Sequence, residues 1–201
     1  MSIMKKYDFI IVGAGCAGLS LAYRLLKKNY RVCILESNNK INEKNKLWSF
    51  WDTYKTPFNH LIKKKWDRIY IKNNNESIKI NCNKFNYQTI NSHDFNNYIV
   101  DKISKDKNFN LVTSSEVTEI FKDGNEIILK SNECKYICKH VFDSRPNIKK
   151  AYMWQQFFGA YIEAEDNIFD EKSPVFMDFS DVKNKFHFMY ILPFSKSSAL
   201  V

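Results

Sequence analysis

Arginine is scarce in this sequence: 4 of 201 positions (Arg24, Arg31, Arg68, Arg145) against 27 lysines. The guanidinium fork is the group that grips bases and phosphates at two points, so a formal charge of +9 built from lysine excludes little and argues against nucleic-acid recognition. Beside 22 asparagines the lysines read first as a solvated surface, and second as weak attraction to an anionic membrane surface. Cysteine is present without organisation. The five cysteines are odd in number, only Cys134 and Cys138 lie close together, and no histidine or second pair stands at zinc spacing. Neither a disulfide framework nor a metal site is expected, and idle thiols suit a reducing cytosol. Long apolar runs are also missing. Lys5 and Lys6 followed by Phe9 to Leu19 imitate a signal peptide, and Cys16 after Gly-Ala-Gly imitates a lipoprotein cleavage site. Asp8 and three glycines break that run, which is too short to span a bilayer. What remains, 44% apolar and 15% aromatic, supports a packed core of one domain, or one and a part.

The opening residues carry the strongest pattern. Tyr7 to Val12 is a short apolar, β-branched run, the mark of a buried parallel strand. It meets Gly13-Ala14-Gly15-Cys16-Ala17-Gly18, a complete G-x-G-x-x-G. A helical pattern follows, with Leu19, Ala22, Tyr23 and Leu26 on one face, then a second strand from Arg31 to Leu35 ending in Glu36. Gly13 allows a sharp turn, Gly15 lets backbone N–H groups approach a pyrophosphate, and Gly18 lets the helix pack on the sheet. The helix N-terminus places partial positive charge at the phosphates. Glu36, 23 positions after Gly13, can accept hydrogen bonds from ribose hydroxyls and repel a 2′-phosphate. The residues define an adenine-dinucleotide site and disfavour NADP; between FAD and NAD they leave both open.

Residues 38–46 are polar and predict a loop. Leu47-Trp48-Ser49-Phe50-Trp51 predicts a strand with Trp48 and Phe50 on one face and Trp51 on the other, at least one of them packing in a core. Asp67 to Ile71 and Ser77 to Ile80 predict a strand pair turning at Asn73-Asn74-Asn75. Ser92 caps a predicted helix with Phe95, Tyr98, Ile99 and Ile103 on its apolar face. Leu111 to Phe121, a hairpin at Asp123-Gly124-Asn125, Ile127 to Leu129 and Lys135 to Phe142 complete the pattern. The last strand ends in Asp143-Ser144-Arg145-Pro146. That segment reads either as an acid and hydroxyl at the ligand-binding edge of a sheet or as a capped turn with an ion pair. The expected class is α/β, an interrupted doubly wound sheet with a small β-meander. Residues 1–147 would form the nucleotide domain, with core 1–45 and 92–147 and an aromatic insertion 46–91. Residues 148–201 would begin an apolar substrate-binding part. Ala199-Leu200-Val201 looks like the opening of a further strand, so a longer protein is expected.

Several segments together carry a family resemblance. Tyr7 through Ala22, Trp48-Ser49-Phe50-Trp51, Phe142-Asp143-Ser144-Arg145-Pro146, Trp154-Gln155-Gln156-Phe157-Phe158-Gly159, Phe176-Met177-Asp178-Phe179, Leu192-Pro193-Phe194-Ser195 and Ala199-Leu200-Val201 resemble bacterial lycopene β-cyclases, in the family's order. Leu47 departs from the family's usual Thr. The resemblance implies a Rossmann-like FAD-binding fold of the glutathione-reductase type. FAD would lie on Gly13, Ala14, Gly15, Cys16, Ala17, Gly18 and Glu36, with Val117 and Asp143 also on the cofactor side. It further implies reduced FAD that is needed without being consumed, NAD(P)H serving only as reductant, and isomerisation of the linear ends of lycopene to β-ionone rings. Protonating an end-group double bond gives a tertiary cation, which the faces of Trp48, Trp51, Trp154 and Phe157 would stabilise by about 0.5–2 kcal/mol each. The acid is expected as a glutamate directly after Val201. A cytoplasmic protein in peripheral contact with a membrane is expected. The competing readings are a FAD-dependent hydroxylase or reductase of another apolar substrate, and a catalytically inert nucleotide-binding fragment.

Overall fold

The structure, a computed structural model, describes residues 5–41, 45–132, 134–146, 153–180 and 187–201. In chain order the elements are β1 (Lys5–Val12), α1 (Cys16–Leu25), β2 (Val32–Leu35), β3 (Leu47–Trp51), a 3-10 turn (Asn59–Leu61), β4 (Ile62–Trp66), β5 (Arg68–Lys72), β6 (Ser77–Asn81), β7 (Tyr87–Asn91) and α2 (Ser92–Ser104). There follow β8 (Phe109–Val112), β9 (Val117–Asp123), β10 (Glu126–Ser131), β11 (Lys135–Asp143), β12 (Tyr161–Glu163), β13 (Val175–Asp178), β14 (Met189–Pro193) and β15 (Ser198–Leu200). They divide into two compact units, Met1–Lys46 with Ser92–Lys150, and Leu47–Asn91 with Ala151–Val201.

The first unit is built on one sheet in the order β8-β2-β1-β11-β10-β9. The first four strands are parallel and the last two turn back as an antiparallel meander, as the sequence pattern predicts. Four apolar residues in a row bury all of β2, the signature of a strand covered on both faces. The pairing brings Val12, Leu35, Val112 and Asp143 level, so the carboxyl ends of the four parallel strands share one edge. Tyr7, Ile10, Val12, Cys33, Leu35, Val117, Leu129, Tyr136 and Cys138 form one core cluster. Helix α1 buries Gly18, Leu19 and Ala22, and α2 buries Phe95, Ile99 and Ile103. Leu26, placed on the helical face by its spacing, lies outside α1 with ψ 142°, and Lys27 and Asn29 follow with φ of 60°. Ser92 was expected as a cap. Its hydroxyl instead accepts the Lys46 N–H at 2.7 Å while its own N–H donates to the Lys46 carbonyl at 2.8 Å. This two-way clasp pins the points where the chain leaves and re-enters the unit.

The second unit corrects the domain division expected from the sequence. There 46–91 was an insertion within the nucleotide domain and 148–201 a separate part. In the structure β5 pairs in parallel with β13, setting Tyr70 against Val175 and Lys72 against Asp178, so the two segments form one body. Its sheets run β12-β15-β14-β13-β5-β6 and β3-β7-β4. The β5–β6 turn is held by Asn73, whose Oδ1 accepts the N–H groups of Asn75 and Glu76 at 2.8 Å. Strands β4, β7, β12 and β13 escaped the pattern. The lysine run of β4 hides an alternation that buries Trp66, and β7 is buried throughout although Gln88, Thr89 and Asn91 are polar.

Candidate functional site

The loop after β1 is shaped by backbone limits at two of its glycines. Gly13 has φ +96°, a conformation L side chains rarely adopt, and a Cβ there would stand 2.5 Å from the Ser144 hydroxyl. Gly18 sits against the same loop: its Cβ would meet the Gly13 carbonyl oxygen at 2.0 Å. Gly15 is different. Its backbone is extended, and a Cβ there would meet nothing within 4 Å. It stands as the N-cap of α1 with no side-chain cap, and no acidic residue occupies the first turn. Gly15, Cys16 and Ala17 are exposed while Ala14 and Gly18 are buried. The helix N-terminus therefore presents uncapped N–H donors to an open space, which suits a pyrophosphate.

Glu36 closes one side of this space. It is 8% exposed, and its Oε2 accepts the Ala14 N–H at 2.7 Å. Oε1 takes the Asn38 N–H at 3.0 Å, the Asn38 side-chain amide at 2.9 Å and the Ser37 hydroxyl at 3.3 Å. Among the described residues Oε2 thus has the single Ala14 partner, leaving capacity for a ribose hydroxyl. Asn38 and Ser37, unremarked in the sequence, hold the carboxylate in this orientation. Their only sequence signal is position directly after the acid.

Ser144 supplies the hydroxyl that the sequence sets at the edge of the sheet, and the structure uses it to tie the loop. Its N–H and its hydroxyl both donate to the Val12 carbonyl, at 3.0 and 2.7 Å, tying β11 to the exit of β1 beneath Gly13. Its neighbour Asp143 takes the ion-pair alternative. The Arg145 guanidinium donates to both carboxylate oxygens, at 2.9 and 2.7 Å, and the Arg145 N–H adds a third bond at 3.1 Å. Arg145 holds the Asp143 carboxyl below the usual carboxylate range and is itself raised by it. The same guanidinium donates to the Val117 carbonyl at 2.5 Å, while the Val117 side chain lies in the core cluster. Any contact from Val117 to a cofactor must therefore come from its backbone rather than its side chain.

The four aromatic residues expected at a substrate lie in the second unit but do not form one cluster. Trp51 packs on Tyr87 at 5.0 Å and Phe176 at 5.9 Å between ring centroids. Tyr87 also meets Phe176 at 4.5 Å and Trp66 at 6.2 Å, and its hydroxyl lies 2.7 Å from that of Tyr190. Burial, then the hydrogen bond with Tyr87, pushes the Tyr190 phenol up. Trp48 pairs with Ile90 on the opposite face of β3, next to Phe50 opposite Gln88. Phe157 makes an edge contact with Phe188 at 6.1 Å, and Trp154 is 70% exposed. Tyr87, Phe176 and Tyr190 were not expected at the site; the pairing of β3 with β7 sets Tyr87 opposite Trp51, and Phe176 of β13 packs on both, with Tyr190 of β14 beside Phe176. No group of three or more metal-ligating side chains occurs among the described residues. Among those residues no helix is long and apolar enough to cross a membrane.

A parallel sheet ordered β8-β2-β1-β11, a glycine loop between β1 and α1 and an acid at the end of β2 define a dinucleotide-binding protein of the Rossmann-like class. The family model described as lycopene cyclase protein matches residues 8–201, and the chain belongs to that family. Its fold is the FAD-binding Rossmann-like fold, shared with solved structures of low sequence identity. Pseudomonas aeruginosa PqsL in complex with 2-aminobenzoylacetate is 11% identical with a TM-score of 0.70, over 98% of this chain and 60% of that one. The p-nitrophenol 4-monooxygenase PnpA of Pseudomonas putida DLL-E4 is 14% identical with a TM-score of 0.70, over 98% and 57%. A geranylgeranyl bacteriochlorophyll reductase-like protein of Thermoplasma acidophilum is 14% identical with a TM-score of 0.70, over 98% and 56%. The chain thus spans about 60% of the length of the solved proteins it matches.

Proposed function

We propose that this chain carries the nucleotide-binding unit and part of the substrate unit of a FAD-dependent lycopene β-cyclase. The observation that carries the reading is the family match, which runs through both units and not through the glycine loop alone. The residues fit the dinucleotide. The uncapped N–H groups at Gly15, Cys16 and Ala17 would hold the pyrophosphate, Glu36 Oε2 a ribose hydroxyl, and the Val117 backbone and Asp143 the flanks of the cofactor. FAD bound in its reduced form, with NAD(P)H as its reductant only, would supply an electron-rich ring beside the reacting end of the polyene.

The aromatic groups have a defined task in such a reaction. Protonation of an end-group double bond leaves a tertiary cation that water would quench. Trp51, joined by Tyr87 and Phe176, would offer π faces to it, and Trp48, Trp154 and Phe157, which lie apart from that cluster, would do so only one by one. A wholly apolar substrate enters from lipid, so a cytoplasmic protein at the membrane surface fits both the substrate and the lysine-rich charge of +9. The test is incubation of the complete gene product with lycopene and chemically reduced FAD. β-Carotene or γ-carotene is expected, and its absence from a flavin-loaded protein would overturn the cyclase reading.

The likeness to a monooxygenase and to a reductase-like protein favours a second reading, a FAD-dependent hydroxylase or reductase of another apolar substrate. Steady consumption of NAD(P)H coupled to substrate turnover would favour it, because a cyclase returns its flavin unchanged.

A further inference from the structure

We propose that the amino-terminal edge of the parallel sheet in the first unit is a second anion site, one that takes a phosphate group. The sheet order β8-β2-β1 sets the starts of three parallel strands side by side. Each brings a cation: Lys5 and Lys6 open β1, Arg31 precedes β2, and Lys107 precedes β8. Together with Tyr7, Asn108 and Asn110 they line a cleft of about 530 Å³. Seven residue steps along β1, about 23 Å at 3.3 Å each, separate this edge from the glycine loop. The cleft is therefore independent of the dinucleotide site, and the inference does not rest on the proposed cyclase activity.

On a surface this rich in lysine, clustering alone decides nothing; charge compensation does. A cleft of about 410 Å³ in the second unit also holds four cations, Lys64, Lys65, Arg68 and Lys172. There Asp67 and Glu171 share the lining and pair with Arg68 and Lys64. Among the described residues no carboxylate lines the cleft at the sheet edge. Lys6 pairs with Glu126 outside it, Asp8 takes Lys139 and the Arg31 backbone N–H, and Asp106 takes the Asn108 N–H. The ammonium groups of Lys5 and Lys107 and the Arg31 guanidinium make no ion pair among the described residues.

The floor of the cleft is also ordered in advance. The Arg31 guanidinium donates to the Lys6 carbonyl and lies 5.9 Å from the centre of the buried Tyr7 ring. The Tyr7 hydroxyl accepts the Asn110 side-chain amide at 3.1 Å. A planar donor fork held on an aromatic face, two ammonium groups without an ion pair among the described residues and two side-chain amides match the acceptor oxygens of a phosphate. The phosphate could belong to a lipid headgroup or to a small soluble molecule, and the two sources give different results.

The experiment compares the protein with the variant Lys5→Gln/Lys107→Gln and with a control, Lys64→Gln/Lys172→Gln, all matched by thermal melt. One arm measures co-sedimentation with vesicles of phosphatidylcholine and of phosphatidylcholine mixed with phosphatidylglycerol. The other titrates inorganic phosphate by calorimetry. A lipid source predicts binding to the anionic vesicles alone, weakened about 25-fold in the first variant, about fivefold per lysine, and little changed in the control. A soluble source predicts phosphate binding that the first variant loses and the control keeps. If neither probe binds, or both variants lose binding alike, the proposal is wrong.

Discussion

Gly15 and Gly18 lie three residues apart in one motif, yet the structure gives them separable jobs, and two single substitutions should split folding from binding. At Gly18 an added Cβ would sit 2.0 Å from the Gly13 carbonyl oxygen, about 1 Å closer than real Cβ atoms come, and 3.2 Å from Ile11 Cγ2. The loop cannot easily yield, because the Gly13 N–H is bonded to the Leu35 carbonyl at 2.8 Å and the Ser144 hydroxyl lies beneath it. Overpacking of this kind costs about 3 kcal/mol at the upper end of its usual range. Removing a helical glycine returns about 1 kcal/mol, so Gly18→Ala should lose about 2 kcal/mol. For a chain of this size that lowers the melting temperature by about 4–8 °C. At Gly15 the same methyl meets open space, and its extended backbone suits any residue, so Gly15→Ala should lose no more than about 1 kcal/mol as a weaker N-cap. Gly15→Val should behave likewise in the melt, yet both variants fill the space where the pyrophosphate is proposed. The assays are a circular-dichroism melt and flavin-fluorescence titration. A Gly15 variant that binds FAD like the parent, or a Gly18→Ala variant that melts like it, refutes the assignment.

Four further outcomes follow from the same geometry. Glu36→Ala strips acceptors from the buried Ala14 N–H and from Asn38, which should cost about 1–3 kcal/mol in urea unfolding and weaken FAD binding as well. Ser144→Ala removes the 2.7 Å bond to the Val12 carbonyl, about 1 kcal/mol, and as a positioning change it should raise the FAD dissociation constant while Ser144→Thr restores it. Burial pushes Cys33 up to about 12, Cys138 up to about 11 and Tyr136 up to about 12. The folded state holds these protons more tightly than the unfolded chain does. Their stabilisation is complete below the unfolded thiol value and is lost as pH rises through 9 toward 11–12, so the urea midpoint should fall between pH 7.5 and pH 10.5 and a flat profile would contradict the burial. Tyr190→Phe breaks the hydroxyl pair with Tyr87 and should lower stability by about 1 kcal/mol with no effect on FAD affinity, the two readouts being urea unfolding and fluorescence titration.

The first unit was legible because its signals are local. A β-branched run, a glycine hexapeptide and an amphipathic helix each announce themselves within ten residues, and the meander follows from Gly124, whose φ of +58° serves the turn between β9 and β10. The second unit was less legible because its defining pairing is remote. No local pattern says that Tyr70 lies against Val175, or that the Trp51 ring meets Phe176. Strand β4 was hidden because three lysines interrupt the apolar count, although Lys64 reaches the Phe194 carbonyl at 3.1 Å and Trp66 donates to the Glu171 carbonyl at 3.1 Å. Strand β7 was hidden because its buried Gln88, Thr89 and Asn91 are polar and break the apolar count. Likewise the expected aromatic quartet separated: composition marks an aromatic residue, but partner choice depends on sheet order.

The glycine motif shows the same division within a single site. Six consecutive residues announce it, yet its shape is held from three distant places: the Leu35 carbonyl on Gly13, the Glu36 carboxylate on Ala14, and Ser144 under the turn. Leu35 and Glu36 arrive with the neighbouring strand, but Ser144 arrives 132 residues after Val12, with β11. Until β11 pairs along β1, the Val12 carbonyl lacks both Ser144 donors and the turn has no floor. The motif therefore specifies where a dinucleotide would sit, while the completed parallel sheet specifies the geometry that receives it. Changes in β11 far from the loop should act on cofactor affinity through Val12 and Gly13, and changes within residues 47–91, clasped at Lys46 and Ser92, should leave that affinity unaltered so long as the clasp survives.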